Sequence, residues 1–289
     1  MNLWDGWVVT AKAVTYAATL GSAGGVFFLA YSHTLLAAPD RLTIRRLILI
    51  LMIVAVLASA ARIVLAAASM SGDAAGLADS GLMRMIWQAG ESRATSARVV
   101  GLLLAACAMY FNRQPGVFAL AAAGAAATSF AWVGHVHALR AGFPGLLVSV
   151  HLLSVAFWLG ALGPLLLIAR HDDPRRAAGP AARFGKAAVG VVGALVIAGL
   201  CLAWVLMGNP SHWPGSNYGR LLALKLGLVA ALLSFGAFNK LRLTPRLLAG
   251  DARAVRSLRS SIRAEMALAA GILWVTACLT TLTGPPALE

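Results

Sequence analysis

The sequence predicts an all-α fold: a polytopic membrane bundle of eight transmembrane helices with both termini on the periplasmic side. Three observations carry this prediction. First, 60% of the 289 residues are hydrophobic and only 12% are charged, roughly half the charged fraction of a soluble domain; the mean hydropathy is +0.81. Second, apolar runs of about 20 residues recur, each long enough at 1.5 Å per residue to cross the hydrocarbon core. Third, the basic residues fall in alternate loops. The 24 Lys and Arg against 10 Asp and Glu give a net charge of +14. A basic excess of this kind on a soluble chain would suggest nucleic acid, but between apolar runs it reads as cytoplasmic loop charge. The expected surroundings are a lipid bilayer, with no nucleic-acid partner. Disorder, coiled coil and a secreted disulfide scaffold are excluded by the same composition.

Taken in order, the expected spans are 8–36, 44–70, 94–111, 117–138, 146–169, 185–207, 218–239 and 262–283, one bundle over 1–289. Pro39, Pro115, Pro144, Pro174, Pro210, Pro214 and Pro245 separate them. The polar interval 71–93 holds a stretch, 81–88, too short to span and expected along the interface. Residues 1–7 contain Asp5 and no Lys or Arg, so the first run is expected to stay in place rather than act as a cleaved signal. Arg41, Arg45 and Arg46 follow span one, and Arg113 follows span three. Five basic residues from Arg170 to Lys186 follow span five, and seven from Lys240 to Arg263 follow span seven. The other loops hold only Arg84, Arg93, Arg98 and Arg140, with Arg220 at a span edge. The positive-inside rule then places the basic loops in the cytoplasm. Gly21 and Gly25, Gly160 and Gly163, and the alanine-rich run 121–127 suit close helix packing.

Histidines carry the chemistry. On this topology His135 and His137 end span four, His151 opens span five, and His212 lies between spans six and seven. His135 and His151 come level, each within about 10 Å of the outer interface. Residues two apart on a helix point in nearly opposite directions, so His135 and His137 share one ion only if the segment unwinds. Neutral imidazole suits copper, and thioether suits Cu(I). Met83 and Met85 in the outer interval are therefore candidate ligands beside His135, His151, His137 and His212. The bound metal is expected to be a copper ion, Cu(I) or Cu(II). His33 and His171 form a possible exit pair toward the cytoplasm. Cys107, Cys201 and Cys278 are isolated and imply neither disulfide nor thiolate cluster. No acidic residue is expected in the middle of a span, Glu265 sitting at the cytoplasmic start of the last, so a carboxylate proton relay has no candidate. The 179–186 stretch departs from a phosphate loop in its glycine spacing and in having Ala187 where Ser or Thr belongs. Spacing gives no role to Arg62, Arg220 and Lys225.

The segment from His151 through Trp158 to Gly160 resembles the His-(x)6-Trp-x-Gly signature of the copper-resistance protein D (CopD/PcoD/YebZ) family. Arg183-Phe184, the block Tyr218-Gly219-Arg220-(x)4-Lys225, the block from Asn239 through Arg242 and Pro245, and Gly134-His135 are similar to further family elements. The resemblance implies an eight-span inner-membrane protein with a CopD-like core at about 134–283, the first three spans occupying about 8–111. It also implies no enzyme activity but copper movement from periplasm to cytoplasm, with a periplasmic CopC-type copper-binding protein as partner. It marks His151, Trp158, Tyr218, Arg220, Lys225 and Asn239 as family-typical. His151, Val155 and Trp158 share one helical stripe, which places Trp158 below the expected site. Two alternatives stand beside transport: a haem b electron-transfer protein with His135 and His151 as axial ligands, and a copper-binding assembly factor or chaperone.

Overall fold

A computed structural model describes residues 3–112, 114–132, 143–207 and 216–283. The chain folds as a helical bundle, and no strand occurs among the described residues. Its principal helices are α1 (Leu3–Ser32), α2 (Ala38–Ser71), α3 (Ser92–Phe111), α4 (Val117–Thr128), α5 (Phe143–Ala169), α6 (Pro174–Met207), α7 (Asn217–Phe238) and α8 (Ala252–Leu279). All except α4 are long and apolar enough to cross a membrane.

α4 continues as a 3-10 turn over Ser129–Trp132. At 1.5 and 2.0 Å rise per residue the two pieces cover about 26 Å. Their register against α3 shows a return path. The chain reverses between α3 and α4: Gly101 faces the backbone of Ala122 and Ala126, and Ser129 and Phe130 have come back level with Arg98. The remainder of the expected fourth span, 133–138, lies outside the described residues.

Two helices begin ten or more residues earlier than hydropathy predicts. α6 starts at Pro174, a residue pre-organised for a first turn. α8 starts at Ala252, ten residues ahead of the expected boundary, capped by Asp251, whose side chain accepts from the Arg253 backbone N–H. Arg246 donates two hydrogen bonds to Asp251, and with the helix N-terminus holds its carboxyl below the usual carboxylate range. Pro245 does not end its helix. A π-helical turn, Asn239–Leu243, precedes it, and the helix resumes over Thr244–Leu248 with Pro245 in the first turn, where its missing N–H costs nothing. The two left-handed glycines, Gly72 (φ 81°) closing α2 and Gly250 (φ 83°) before α8, occupy positions that favour no Cβ.

Like ends of the bundle gather. At the basic end, Asp40 at the start of α2 accepts from Arg176 at 2.8 Å and pairs with His171 at 3.2 Å. There also Arg183 reaches Thr34 and lies over the Tyr31 ring, while Arg259 meets Asp172 and the Ala169 carbonyl. At the other end Asp5 accepts from Ser69, and Lys12 donates to Thr280 and Thr281. Of the expected exit pair, His171 is engaged by Asp40.

α1 is the central helix: 72% of its most apolar stretch is buried, against 11% for α6 and 0% for α7. It packs chiefly on α2 and α5. The α1–α5 contact is backbone on backbone: a Cβ on Gly24 would lie 1.6 Å from the Ala156 carbonyl oxygen, and one on Gly160 would lie 2.2 Å from Gly24. Gly25 and Gly163 make room for Ile48 and Leu47 of α2. Gly21, by contrast, has only an ordinary contact with Leu51 at 3.5 Å.

Arg98, expected in a loop, is wholly buried within α3. Its guanidinium lies 4.0 Å from the centroid of the Phe130 ring and donates to Ser129 (3.2 Å) and Ser59 (3.3 Å), tying α2, α3 and the end of α4 together. Arg62 pairs with Glu91, which stands on a second π-helical turn, Trp87–Glu91.

Gly160→Ala should therefore separate α1 from α5 and destabilise the folded protein by about 1–3 kcal/mol. Gly21→Ala should be near neutral. Thermal unfolding in detergent, followed by circular dichroism, compares the two; equal midpoints would contradict the backbone crossing.

Candidate functional site

α5 presents one stripe, His151, Val155, Trp158, Leu162 and Leu165, to α6, α7 and α8. Along it lie two stacked cavities. The one toward the Lys12 end has a volume of about 300 Å³ and is bordered by His151, Val155, Gly199, Ala203, Leu222 and Lys225. The one toward the basic end has a volume of about 370 Å³ and is bordered by Phe184, Gly185, Asn239, Lys240, Thr244 and Glu265. Trp158 borders both. From Leu222 on α7 to Thr244, just past the π-helical turn that follows it, the pair covers about 33 Å, close to the depth of the hydrocarbon core.

His151 lies inside α5 with its Nδ1 buried and without a hydrogen-bond partner among the described residues. Gly199 of α6 leaves the ring space: a Cβ there would stand 3.5 Å from Nδ1. A buried ring nitrogen left open on a cavity suits a ligand that needs a lone pair. Lys225 borders the same cavity from α7. Its ammonium is a compact cation on a flexible stem, placed where a cationic cargo would meet it.

Trp158 is 7% exposed. Its indole N–H donates to Glu265 Oε2 at 3.1 Å, and Phe184 meets it edge-on at 6.2 Å. Gly236 of α7 receives the ring, since a Cβ there would lie 2.4 Å from Cη2. Asn239, on the π-helical turn, donates through Nδ2 to the other oxygen of Glu265. π turns recur at functional sites because they re-aim a side chain. Glu265 is 2% exposed and stands midway along α8, level with the middle of α5. Glu265 is thus buried well inside a helix, while along the chain it keeps its expected place near the basic-end start of the apolar stretch. α8 runs ten residues further toward the basic end than its apolar stretch, so Glu265 is four turns inside it.

Other expected residues are dispersed. Met83 and Met85 stand on the short helix Ser80–Ile86, which packs on α2, and neither borders the His151 cavity. Tyr218 and Arg220 lie in the first turn of α7, Tyr218 half-buried and Arg220 exposed. His135, His137 and His212 lie outside the described residues, as does the second axial ligand that a haem held by His151 and His135 would need. Among the described residues no three His, Cys, Asp or Glu side chains converge as a metal site.

Seven long apolar helices define a multi-pass membrane protein, and between four of them lie two largely apolar cavities that carry a few polar side chains. The Copper resistance protein D-like N-terminal domain family matches residues 1–146, and the Copper resistance protein D family matches residues 178–279. The chain belongs to the copper resistance protein D family. It is also similar to the copper transport protein CutJ of Bacillus subtilis (strain 168), 27% identical over 161 residues. That match takes in 54% of this chain and 28% of CutJ, so the chain spans well under half the length of that relative. No solved structure matches.

Gly236→Ala should unseat the Trp158 indole and lower stability by about 1–3 kcal/mol. The indole N–H resonance of Trp158, identified by its absence in Trp158→Phe, should shift in the Gly236→Ala protein; an unmoved resonance would show that the ring does not need that glycine.

Proposed function

We propose that this protein carries copper ions across the bacterial inner membrane, from periplasm to cytoplasm, with copper as its cargo. The basic end is then the cytoplasmic end, by the positive-inside rule, and the His151 cavity faces the periplasm. The observation that carries the reading is the passage itself: two cavities stacked through the depth of the bundle, with an imidazole nitrogen left open on the outer one. Neutral imidazole is a good copper ligand, and buried polar groups at membrane depth are retained for function. His135, and beside it His137 and His212, complete the proposed entry site, and Met83 and Met85, on their own short helix away from that cavity, capture copper ahead of it. The supply of copper falls to a periplasmic CopC-type copper-binding protein. Below the entry site Trp158 closes the outer cavity, and the cargo passes it to reach the inner one.

The test is uptake of copper ions into liposomes containing the full chain. His151→Ala should reduce the initial rate by about tenfold or more, the scale of losses seen when a metal site is perturbed, while leaving thermal stability close to that of the parent. Uptake unchanged by the substitution would remove the proposed entry site. Binding without uptake in the parent would favour a copper-binding assembly factor over a carrier.

A further inference from the structure

Glu265 is buried midway along α8, and its surroundings are unusual for a buried carboxylate. It forms no ion pair among the described residues, and its two oxygens are met by neutral donors, Trp158 Nε1 and Asn239 Nδ2. The groups facing it can be named element by element. α5 contributes Trp158, α6 contributes Phe184 and Gly185, and α8 adds Leu258 and Ile262. α7 contributes Asn239, Thr244 and Lys240, the other charged side chain bordering this cavity, whose Nζ donates to the Gly185 carbonyl at 3.0 Å. A charge without a counter-ion in a low-dielectric setting is costly, and neutralisation by a proton is the usual relief.

A second observation points the same way. Asn239 Oδ1 is buried and has no donor among the described residues. The amide thus gives one hydrogen bond to Glu265 and holds an unused acceptor beside it. A proton on the carboxyl group supplies the missing donor, and amide and acid then share two hydrogen bonds. The inner cavity offers oxygen donors and no His, Cys or Met side chain among its bordering residues, a set poorly matched to copper and well matched to a proton.

We propose that Glu265 is a proton-binding site that gates the passage: as a carboxylate it holds the Trp158 indole across the junction of the two cavities, and as an acid it turns to Asn239 and lets the indole go. The proton reaches Glu265 through the inner cavity, which Glu265 borders while the outer one it does not, and it leaves by the same route. One proton adds to a carboxylate oxygen and one is returned; no electron moves. The N–H to carboxylate bond is charge-assisted and weakens on protonation, so acid on the basic-end side opens the gate. Glu265 acts through Trp158 and is a positioning residue, not a ligand of the cargo. The gate rests on the transport reading; the proton site does not.

The experiment uses the full chain in liposomes, with copper-ion uptake measured as the pH on the basic-end side is varied, and infrared spectra of the same preparation. The parent should carry copper several-fold faster as that side is acidified. Glu265→Gln, a fixed neutral side chain, should be fast and insensitive to pH. The carboxylic-acid carbonyl band that grows in the parent on acidification should be missing from Glu265→Gln. Glu265→Asp, which keeps the acid on a shorter stem, should shift the midpoint of the pH response. Retained pH dependence in Glu265→Gln, an unmoved midpoint in Glu265→Asp, or the absence of a titrating band assignable to Glu265 would overturn the proposal. If the parent carries no copper yet the band titrates and the Trp158 indole signal moves with it, the proton site stands and the transport reading falls.

Discussion

The arrangement depends on one contact, the backbone crossing of α1 and α5 at Gly24 and Gly160. In a bilayer the hydrophobic effect does not drive helices together, since lipid tails are as apolar as leucine, and close van der Waals packing must do so. At this crossing the two backbones approach until no Cβ fits on either side. That fixes the depth and rotation of α5, and with them the stripe from His151 to Leu165. Two turns from the crossing toward the Lys12 end, His151 is set open on its cavity; between them Trp158 is turned toward α7 and α8. The N-terminal helices thus serve the site without lining it.

Charges inside the bundle are handled in two ways. Arg98 is surrounded: an aromatic face, two hydroxyls and tight packing leave it wholly buried between three helices. Arg62 is paired outright with Glu91. These arrangements hold the N-terminal helices together, and each satisfies most of what burial takes away from the charge. Glu265 differs. It borders a cavity instead of packed side chains, its partners are neutral, and one of them keeps an idle acceptor. A purely structural carboxylate at this depth would be expected to find a cation, and Lys240 lies on the same cavity yet is directed to a carbonyl.

What the sequence makes legible follows from what hydropathy measures. Seven long apolar helices appear where apolar runs stand, and the basic loops gather at one end, because both depend on composition along the chain. Helix ends are another matter. Four arginines between Arg253 and Arg263 lower the hydropathy of the start of α8, but arginine is a good helix former, and Asp251 supplies the cap. The helix therefore runs on through a stretch that reads as loop, and Glu265 moves from an edge to the middle. Arg98 was hidden for a similar reason: its partners Ser59, Ser129 and Phe130 come from two other helices, and no local pattern announces them. The close glycines were legible as a class and not as individuals. Gly21 and Gly25 carry the familiar spacing, yet the residue against α5 is Gly24. Trp158 and Asn239 stood out through family resemblance, and only the fold shows that both reach the same carboxylate.

The division of packing between the two halves bears on how such a passage can open. α1 through α5 are joined by a backbone crossing, a buried arginine and an ion pair. α6 and α7 are consecutive in the chain but pack chiefly on α5 and α8 respectively, and it is the segment Thr244–Leu248, at the basic end, that brings the α7 strand of the chain against α6. Their apolar faces are little buried, and the cavities lie in the space between them. α6 and α7 each hold chiefly to a single neighbour, whereas moving α5 would break the crossing on which the bundle rests. Elements that shift during function are drawn from the weakly packed part of a structure. The passage is accordingly walled on one side by α5, held by its crossing with α1, and on the other by the two least-buried of the long helices, with Trp158 reaching from the firm wall to Gly236 on the yielding one. The hydrogen bond to Glu265 acts there together with the edge of Phe184 and the seat at Gly236 to hold the ring across the junction.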